Sequence, residues 1–200
     1  MRIEDSFTIA HPPTTVWRYV RQVPLVATCL PGAELLEQDD ASGRFKGRLS
    51  IKLGPIAAAF DGEGEAHWDD ATHSGTVKGQ GRDGRSASRV QGELGFRLTP
   101  STDGRGTTVA LGVDYTLTGA LAQFGRSGIV ADVARRLTRD FARAFEARIN
   151  AELAASVPEN AVAPSVADAN RPASIDAGRL LWTVVWERLS RWLRRLVGQS

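Results

Sequence analysis

The chain alternates first and coils later. From Met1 to Ala10, Ile3, Phe7 and Ile9 fall on one side of an extended backbone, which predicts an opening strand. His11-Pro12-Pro13-Thr14-Thr15 supplies a turn and a helix start, because proline fits the first helical position. Val16, Trp17, Val20 and Val23 recur at helical spacing, so a short helix ends before Pro24, with a further helical turn over 24–28.

After Leu30-Pro31-Gly32 the period becomes two. Phe45, Leu49, Ile51 and Leu53 alternate with Lys46, Arg48, Ser50 and Lys52, and Gly54-Pro55 punctuates the run. Ile56, Ala58, Phe60 and Ala66 alternate with acids on the next run, and 75–82 makes a weaker strand. Val90, Leu94, Phe96 and Leu98 form another, and Val109, Leu111, Val113, Tyr115 and Leu117 the last, joined through Asp103-Gly104-Arg105-Gly106. Alternation of this kind gives each strand one buried and one wet face, as in an antiparallel sheet of about six or seven strands in meander order.

From Gly125 to about Ala154 the period changes to 3.6. Val130, Val133, Ala134, Leu137, Phe141, Ala144 and Phe145 form one stripe, with Arg135, Arg136, Arg139 and Arg143 on the other side. The sheet's inner face is the apolar surface this long helix has available. The expected class is therefore α+β, a curved antiparallel sheet wrapped around a long C-terminal helix. Glycines 47, 62, 64, 79, 81, 92, 95 and 112 inside the strands supply the curvature. Ala134, Ala144, Ala58, Gly62 and Gly92 leave either a cavity between helix and sheet or a core closed by near approach.

Three regions follow: a domain over 1–155, a linker over 156–178 and an amphipathic helix over 179–200. The linker has three prolines, many small residues and no periodicity. On a helix, Leu181, Trp182, Val185, Trp186, Leu189, Trp192 and Leu193 share a broad arc, opposite Arg188, Arg191, Arg194 and Arg195. Three of the chain's five tryptophans lie there, and Arg179 to Val197 carries a net +4 against +2 for all 200 residues. A helix lying in the plane of an anionic bilayer satisfies both faces, with Trp182, Trp186, Trp192 and Leu189 in the acyl boundary and the arginines at headgroups. Docking on a partner protein or on the chain's own domain are the alternatives. Six charges make spanning expensive, and no other segment reaches the apolar length a transmembrane helix needs.

The composition narrows the chemistry further. The start, Met1-Arg2-Ile3-Glu4-Asp5-Ser6, lacks the pattern of a signal peptide, so a cytoplasmic protein, peripheral on the inner face of the membrane, is expected. One cysteine, Cys29, excludes an internal disulfide and cysteine-rich metal sites, and reads as a buried structural residue. His11, His67 and His73 have no metal-ligand spacing, so no metal site is expected. Glu63 and Glu65 share a strand face, but the wet one. Gly79-Gln80-Gly81 opens no helix, so it is not a dinucleotide loop. Arginines outnumber lysines 22 to 3, yet acids nearly balance them and no aromatic residues interleave the basic helix face, which argues against nucleic acid. No catalytic residues are expected.

Cys29-Leu30-Pro31-Gly32-Ala33-Glu34, Lys52-Leu53-Gly54-Pro55-Ile56, Gly79-Gln80-Gly81-Arg82-Asp83 and Leu117-Thr118-Gly119-Ala120-Leu121-Ala122-Gln123-Phe124-Gly125-Arg126 occur in collinear order. Together they resemble the CoxG family of carbon monoxide dehydrogenase subunits over about 1–155. The resemblance implies the START-like, helix-grip fold and a non-catalytic accessory of an aerobic molybdenum hydroxylase such as carbon monoxide dehydrogenase. It further implies membrane attachment of that enzyme, handling of its lipoquinone acceptor, and an apolar ligand between sheet and helix. No covalent cofactor is expected; bound menaquinone or ubiquinone is. The expected lining, chosen by phase and by nearness to a mouth at Gly119–Arg126, is Leu53, Ile56, Phe60, Leu121, Phe124, Val130, Leu137, Phe141 and Phe145. A cyclase-, aromatase- or hydrolase-like enzyme of the same superfamily, or a tether with a filled core, are the rival readings.

Overall fold

A computed structural model describes residues 1–53, 56–124 and 128–156, apart from the side chains of Leu53 and Ile56. These residues fall within one unit, Met1–Pro158. The expected linker and tail helix, with Trp182, Trp186, Leu189, Trp192 and their arginines, lie outside the described residues, as do Gly54, Pro55, Gly125 and Arg126.

The chain opens with β1 (Arg2–Ile9), followed by α1 (Pro13–Val20) and α2 (Val23–Cys29). Six strands then run in succession: β2 (Ala33–Asp39), β3 (Arg44–Leu53), β4 (Ile56–Asp69), β5 (Ser74–Asp83), β6 (Ser88–Pro100) and β7 (Thr107–Thr118). A 3₁₀ turn (Ala120–Phe124) leads to α3 (Ile129–Ala155). Prolines start both short helices, at Pro13 and Pro24, where a missing N–H costs nothing. The seven strands form one antiparallel sheet in the order β1-β7-β6-β5-β4-β3-β2. β2 to β7 are a meander, and β1 extends it by pairing with β7 from Arg2↔Asp114 to Ile9↔Thr107.

β2 is the strand whose alternation is hardest to see. A bulge between Leu35 and Glu37 breaks its period and leaves Leu36 exposed. Asp103-Gly104-Arg105-Gly106 is the β6–β7 turn, with Gly104 at φ 68° and the Asp103 carboxylate accepting from the Arg105 N–H at 3.0 Å.

The core is concentrated at one end of the sheet. Ile9, Leu98 and Val109 from the strands meet Val16, Trp17 and Tyr19 of α1, Leu25 and Cys29 of α2, and Phe145 and Ile149 of α3. Ile9, Val16, Phe145 and Ile149 are at most 1% exposed. Burying each stabilises the fold by roughly 1.5–3 kcal/mol. Phe141 stacks on Phe145 at 5.3 Å and meets Phe7 edge-on at 6.0 Å, fixing the second half of α3 against β1. Trp17 donates its indole N–H to Asp70 at 2.7 Å, and Arg21 reaches the same carboxylate. Burial pushes the Cys29 thiol pKa up, which suits a packing role.

Candidate functional site: the open stretch between sheet and helix

The inner face of the sheet carries two rows of glycine. Register aligns Gly47, Gly62 and Gly81 across β3, β4 and β5, and Gly64, Gly79 and Gly92 across β4, β5 and β6. The second row runs between Phe45 on β3 and Tyr115 on β7. Side chains are excluded from most of these positions by the coiling of the strands. A Cβ at Gly62 would stand 2.4 Å from the Gln80 carbonyl oxygen, and one at Gly92 2.6 Å from that of Asp114. Gly79 differs: its nearest neighbour would be the Glu63 carbonyl at 3.4 Å, an ordinary contact. The glycines therefore do two things. They let the sheet bend, and they leave a strip of inner surface that carries no side chain of its own, covered at Gly64 by the ring of Phe45.

Around that strip, apolar side chains are only half-buried. Phe60, Val90, Leu94, Val113 and Leu117 face inward from the strands, yet none is buried. On α3, Val130, Ala134, Leu137 and Phe141 are likewise half-exposed, whereas Val133, Phe145 and Ile149 are buried. α3 packs closely on β1 and α2. Its first turns leave their apolar stripe incompletely covered. Partly wetted apolar side chains on both the sheet and the helix form a surface suited to a lipophilic occupant.

The residues expected to line such a site divide accordingly. Phe60, Val130 and Leu137 are half-exposed, and Phe141, also half-exposed, packs against the closed core through Phe145 and Phe7. Leu121, 9% exposed, and half-buried Phe124 belong to the 3₁₀ turn beside it. Phe145 lies in the closed core. Leu53 and Ile56 are register partners beside the β3–β4 turn, and their side chains lie outside the description.

The 3₁₀ turn is pinned to the β5–β6 turn. The Leu121 N–H donates to Ser88 Oγ at 3.0 Å. Ser86 Oγ lies 2.9 Å from Ser88 Oγ and donates to Asp83 Oδ2 at 2.6 Å, while the Arg85 N–H donates to Asp83 Oδ1 at 3.0 Å. The Ser86 hydroxyl, then the Arg85 N–H, hold the Asp83 carboxyl below its ordinary pKa. Ser88 and Asp83 are buried, so these groups are committed to the frame. Sequence reading did not find this network, although the Asp-x-x-Ser spacing at 83–86 was its signal.

Asp5 departs from the expected apolar phase: it shares the inward phase of β1 with Ile3 and Phe7, and accepts from the Ser6 N–H at 2.9 Å. Tyr115 is the other polar residue that the alternation hid, and its half-burial pushes the phenol pKa up.

The outer face is different in kind. A trough of about 1040 Å³ crosses β2 to β7 there, as far as Met1; the backbone row Phe45, Gly64, Gly79, Gly92 and Tyr115 floors it, and the exposed polar side chains on either side of that row border it. Cross-strand pairs neutralise it, among them Lys46–Glu37 at 2.6 Å, Arg44–Glu65 at 3.8 Å and Lys78–Glu93 at 3.7 Å. Glu63, half of the carboxylate pair noted in the sequence, accepts from Gln80 at 2.8 Å. A smaller concavity of about 540 Å³ lies against α1, lined by Trp17, Trp68, Arg18 and Gln38 among others. None of the nine expected lining residues borders either concavity. Among the described residues no cluster of His, Cys, Asp and Glu could hold a metal, and no helix is long and apolar enough to cross a membrane.

A seven-stranded sheet over a long terminal helix is the START-like architecture, and solved structures agree. A conserved protein from Geobacillus kaustophilus superposes with a TM-score of 0.66 at 19% identity, covering 76% of this chain and 97% of its own. The Zhui aromatase/cyclase from Streptomyces sp. R1128 gives 0.53 at 18%, covering 76% and 95%. A START superfamily protein from Mycobacterium smegmatis gives 0.50 at 14%, covering 76% and 98%. At such identities these likenesses define the fold alone. No curated protein matches the chain. The CoxG family of carbon monoxide dehydrogenase subunits matches residues 6–150. The chain belongs to that family.

Proposed function

We propose that this chain is a non-catalytic accessory protein of a carbon monoxide dehydrogenase-type molybdenum hydroxylase. It holds a lipoquinone-like ligand, menaquinone or ubiquinone, between the glycine-floored sheet and the first half of α3. The observation that carries the reading is the half-exposed apolar surface on both sides of that gap, in a fold whose other end is tightly packed. A quinone with its isoprenoid tail is costly to expose to water, and an apolar sleeve lowers that cost. Family membership supports the link to the hydroxylase. The buried polar groups near the gap, Asp83 and Ser88, are bound into turns, which supports holding over catalysis.

The Trp- and Arg-rich segment over 179–200 keeps the domain at the cytoplasmic face of an anionic membrane, where quinone and hydroxylase meet. Each basic residue near such a surface contributes about 1 kcal/mol.

Organic extracts of the purified chain, followed by titration with menaquinone and ubiquinone in detergent, test the ligand. Co-purification or saturable binding of one quinone per chain is expected. A quinone-free extract together with no binding would leave a tether and refute the carrier. Co-sedimentation with anionic vesicles tests the tail: full-length chain is expected to pellet and residues 1–155 to stay in solution. Equal behaviour of the two refutes the membrane role of the tail.

A further inference from the structure

Tyr115 stands in the middle of the open stretch. It occupies the inward phase of β7, flanked along the strand by Val113 and Leu117. Across the ladder it faces Gly92, which has no side chain, and its backbone pairs with Met1 on the other side. The phenol therefore rises from a patch of the sheet that its neighbours leave clear.

The other inward-facing polar groups of the sheet are engaged. Asp83 and Ser88 close the β5–β6 turn, Thr107 donates to the His11 carbonyl at 2.6 Å, and Asp5 accepts from the Ser6 N–H. Thr138, on α3, donates to the Ala134 carbonyl at 3.0 Å. Among the described residues the Tyr115 hydroxyl has no hydrogen-bond partner. A solvent-accessible hydroxyl at the tip of a half-buried ring, without a protein partner, is a donor open to an acceptor.

We infer that Tyr115 is the specificity-determining residue of the cleft, donating a hydrogen bond from its phenol to a carbonyl oxygen on the ligand. It thereby selects planar, carbonyl-bearing lipophiles over hydrocarbons of the same shape. This rests on the cleft being the ligand site proposed above, and names the chemical feature that the site reads. Partial burial raises the phenol pKa further above neutrality, so the group stays a donor under working conditions. The apolar rest of the cleft supplies affinity without discrimination. One directional bond supplies the discrimination, because a ligand lacking the acceptor leaves the partly dehydrated hydroxyl unpaired.

The test uses the full chain and two probes of the same ring shape: menadione, which carries two ring carbonyls, and 2-methylnaphthalene, which carries none. Affinities are measured by calorimetry or equilibrium dialysis for wild type and Tyr115→Phe, with thermal unfolding to verify that the variant is folded. Wild type is expected to bind both. Tyr115→Phe should bind menadione about five- to ten-fold more weakly, the worth of one neutral hydrogen bond, and 2-methylnaphthalene as tightly or more tightly, because the unpaired hydroxyl is gone. If the substitution weakens both probes alike, or neither, the role of Tyr115 is overturned while the cleft survives. If wild type binds neither probe, the cleft reading fails and the inference fails with it.

Discussion

The two ends of the inner face use one sheet and one helix and come out differently. At one end, Phe145 and Ile149 of α3 drop among Ile9, Leu98, Val109 and the side chains of α1 and α2, and all of them are buried. At the other, Leu137 and Val130 in the first half of the same helix, and Leu94 and Val113 on the inner phase of the same sheet, all stay half-exposed. Residue type is not the cause, since both ends are leucine, valine, isoleucine and phenylalanine. The difference is what fills the space between. Two short helices plug the closed end, while glycines leave the open end unfilled. Packing density is a local choice, and a fold can hold its stability in one place and its open surface in another.

The largest expected effect sharpens that division. Phe145→Ala should cost about 3–5 kcal/mol of stability in urea unfolding, and Leu137→Ala about 1 kcal/mol. Equal losses would mean that the two ends are packed alike.

Next comes filling the floor. Gly79 alone in its row accepts a Cβ at an ordinary distance, so Gly79→Val should fold with stability within about 1 kcal/mol of wild type. Its affinity for a quinone should fall about ten-fold or more, as the isopropyl group occupies the strip. A folded variant with unchanged affinity would place the ligand elsewhere.

The frame beside the opening gives a smaller effect. Ser88→Ala removes the acceptor of the Leu121 N–H and should cost about 1 kcal/mol. Hydrogen exchange at Leu121 should speed up while exchange at Ile149 follows only the global change. Uniform acceleration would show that the 3₁₀ turn is not separately held.

The smallest concerns acid. The Asp83 carboxyl lies below its ordinary 3.8 in the folded chain, because Ser86 and Arg85 favour the charged form. Its stabilisation is full above the unfolded value and is lost as pH falls through the folded one. Asp83→Asn should therefore flatten the acid side of the stability profile below about pH 4. Asp39, Asp69 and Asp103 shift in the same direction through similar turns, so one substitution changes the profile only slightly. A steeper acid loss in the variant would reverse the assignment.

Much of this was legible in the chain itself. Alternation placed β3, β4, β6 and β7, and the 3.6 period placed α3, because each of these elements has one face in water and one face in apolar surroundings. β2 was not legible, since its bulge sets Leu36 outward and breaks the period. β1 pairing with β7 spans more than a hundred residues, and no local pattern encodes it. The candidate site was half legible. Phase put Phe60, Leu137 and Phe141 on the inner face, but phase cannot tell the packed end from the open one, so Phe145 entered the same set. The glycines were read as curvature, and Gly62 and Gly92 also as room for a cavity. That Gly64, Gly79 and Gly92 lie in one row emerges only when strand register is known. Tyr115 was hidden because tyrosine in an apolar phase looks like any other aromatic residue until its hydroxyl is seen to lack a partner.

Everything above turns on the ligand lying at the open end. Methyl-resolved NMR titration of the full chain with menadione tests this most directly. Shifts are predicted at Val90, Leu94, Val113 and Leu137, with Ile9, Val109 and Ile149 unmoved. Saturation that perturbs the second set and spares the first would contradict it.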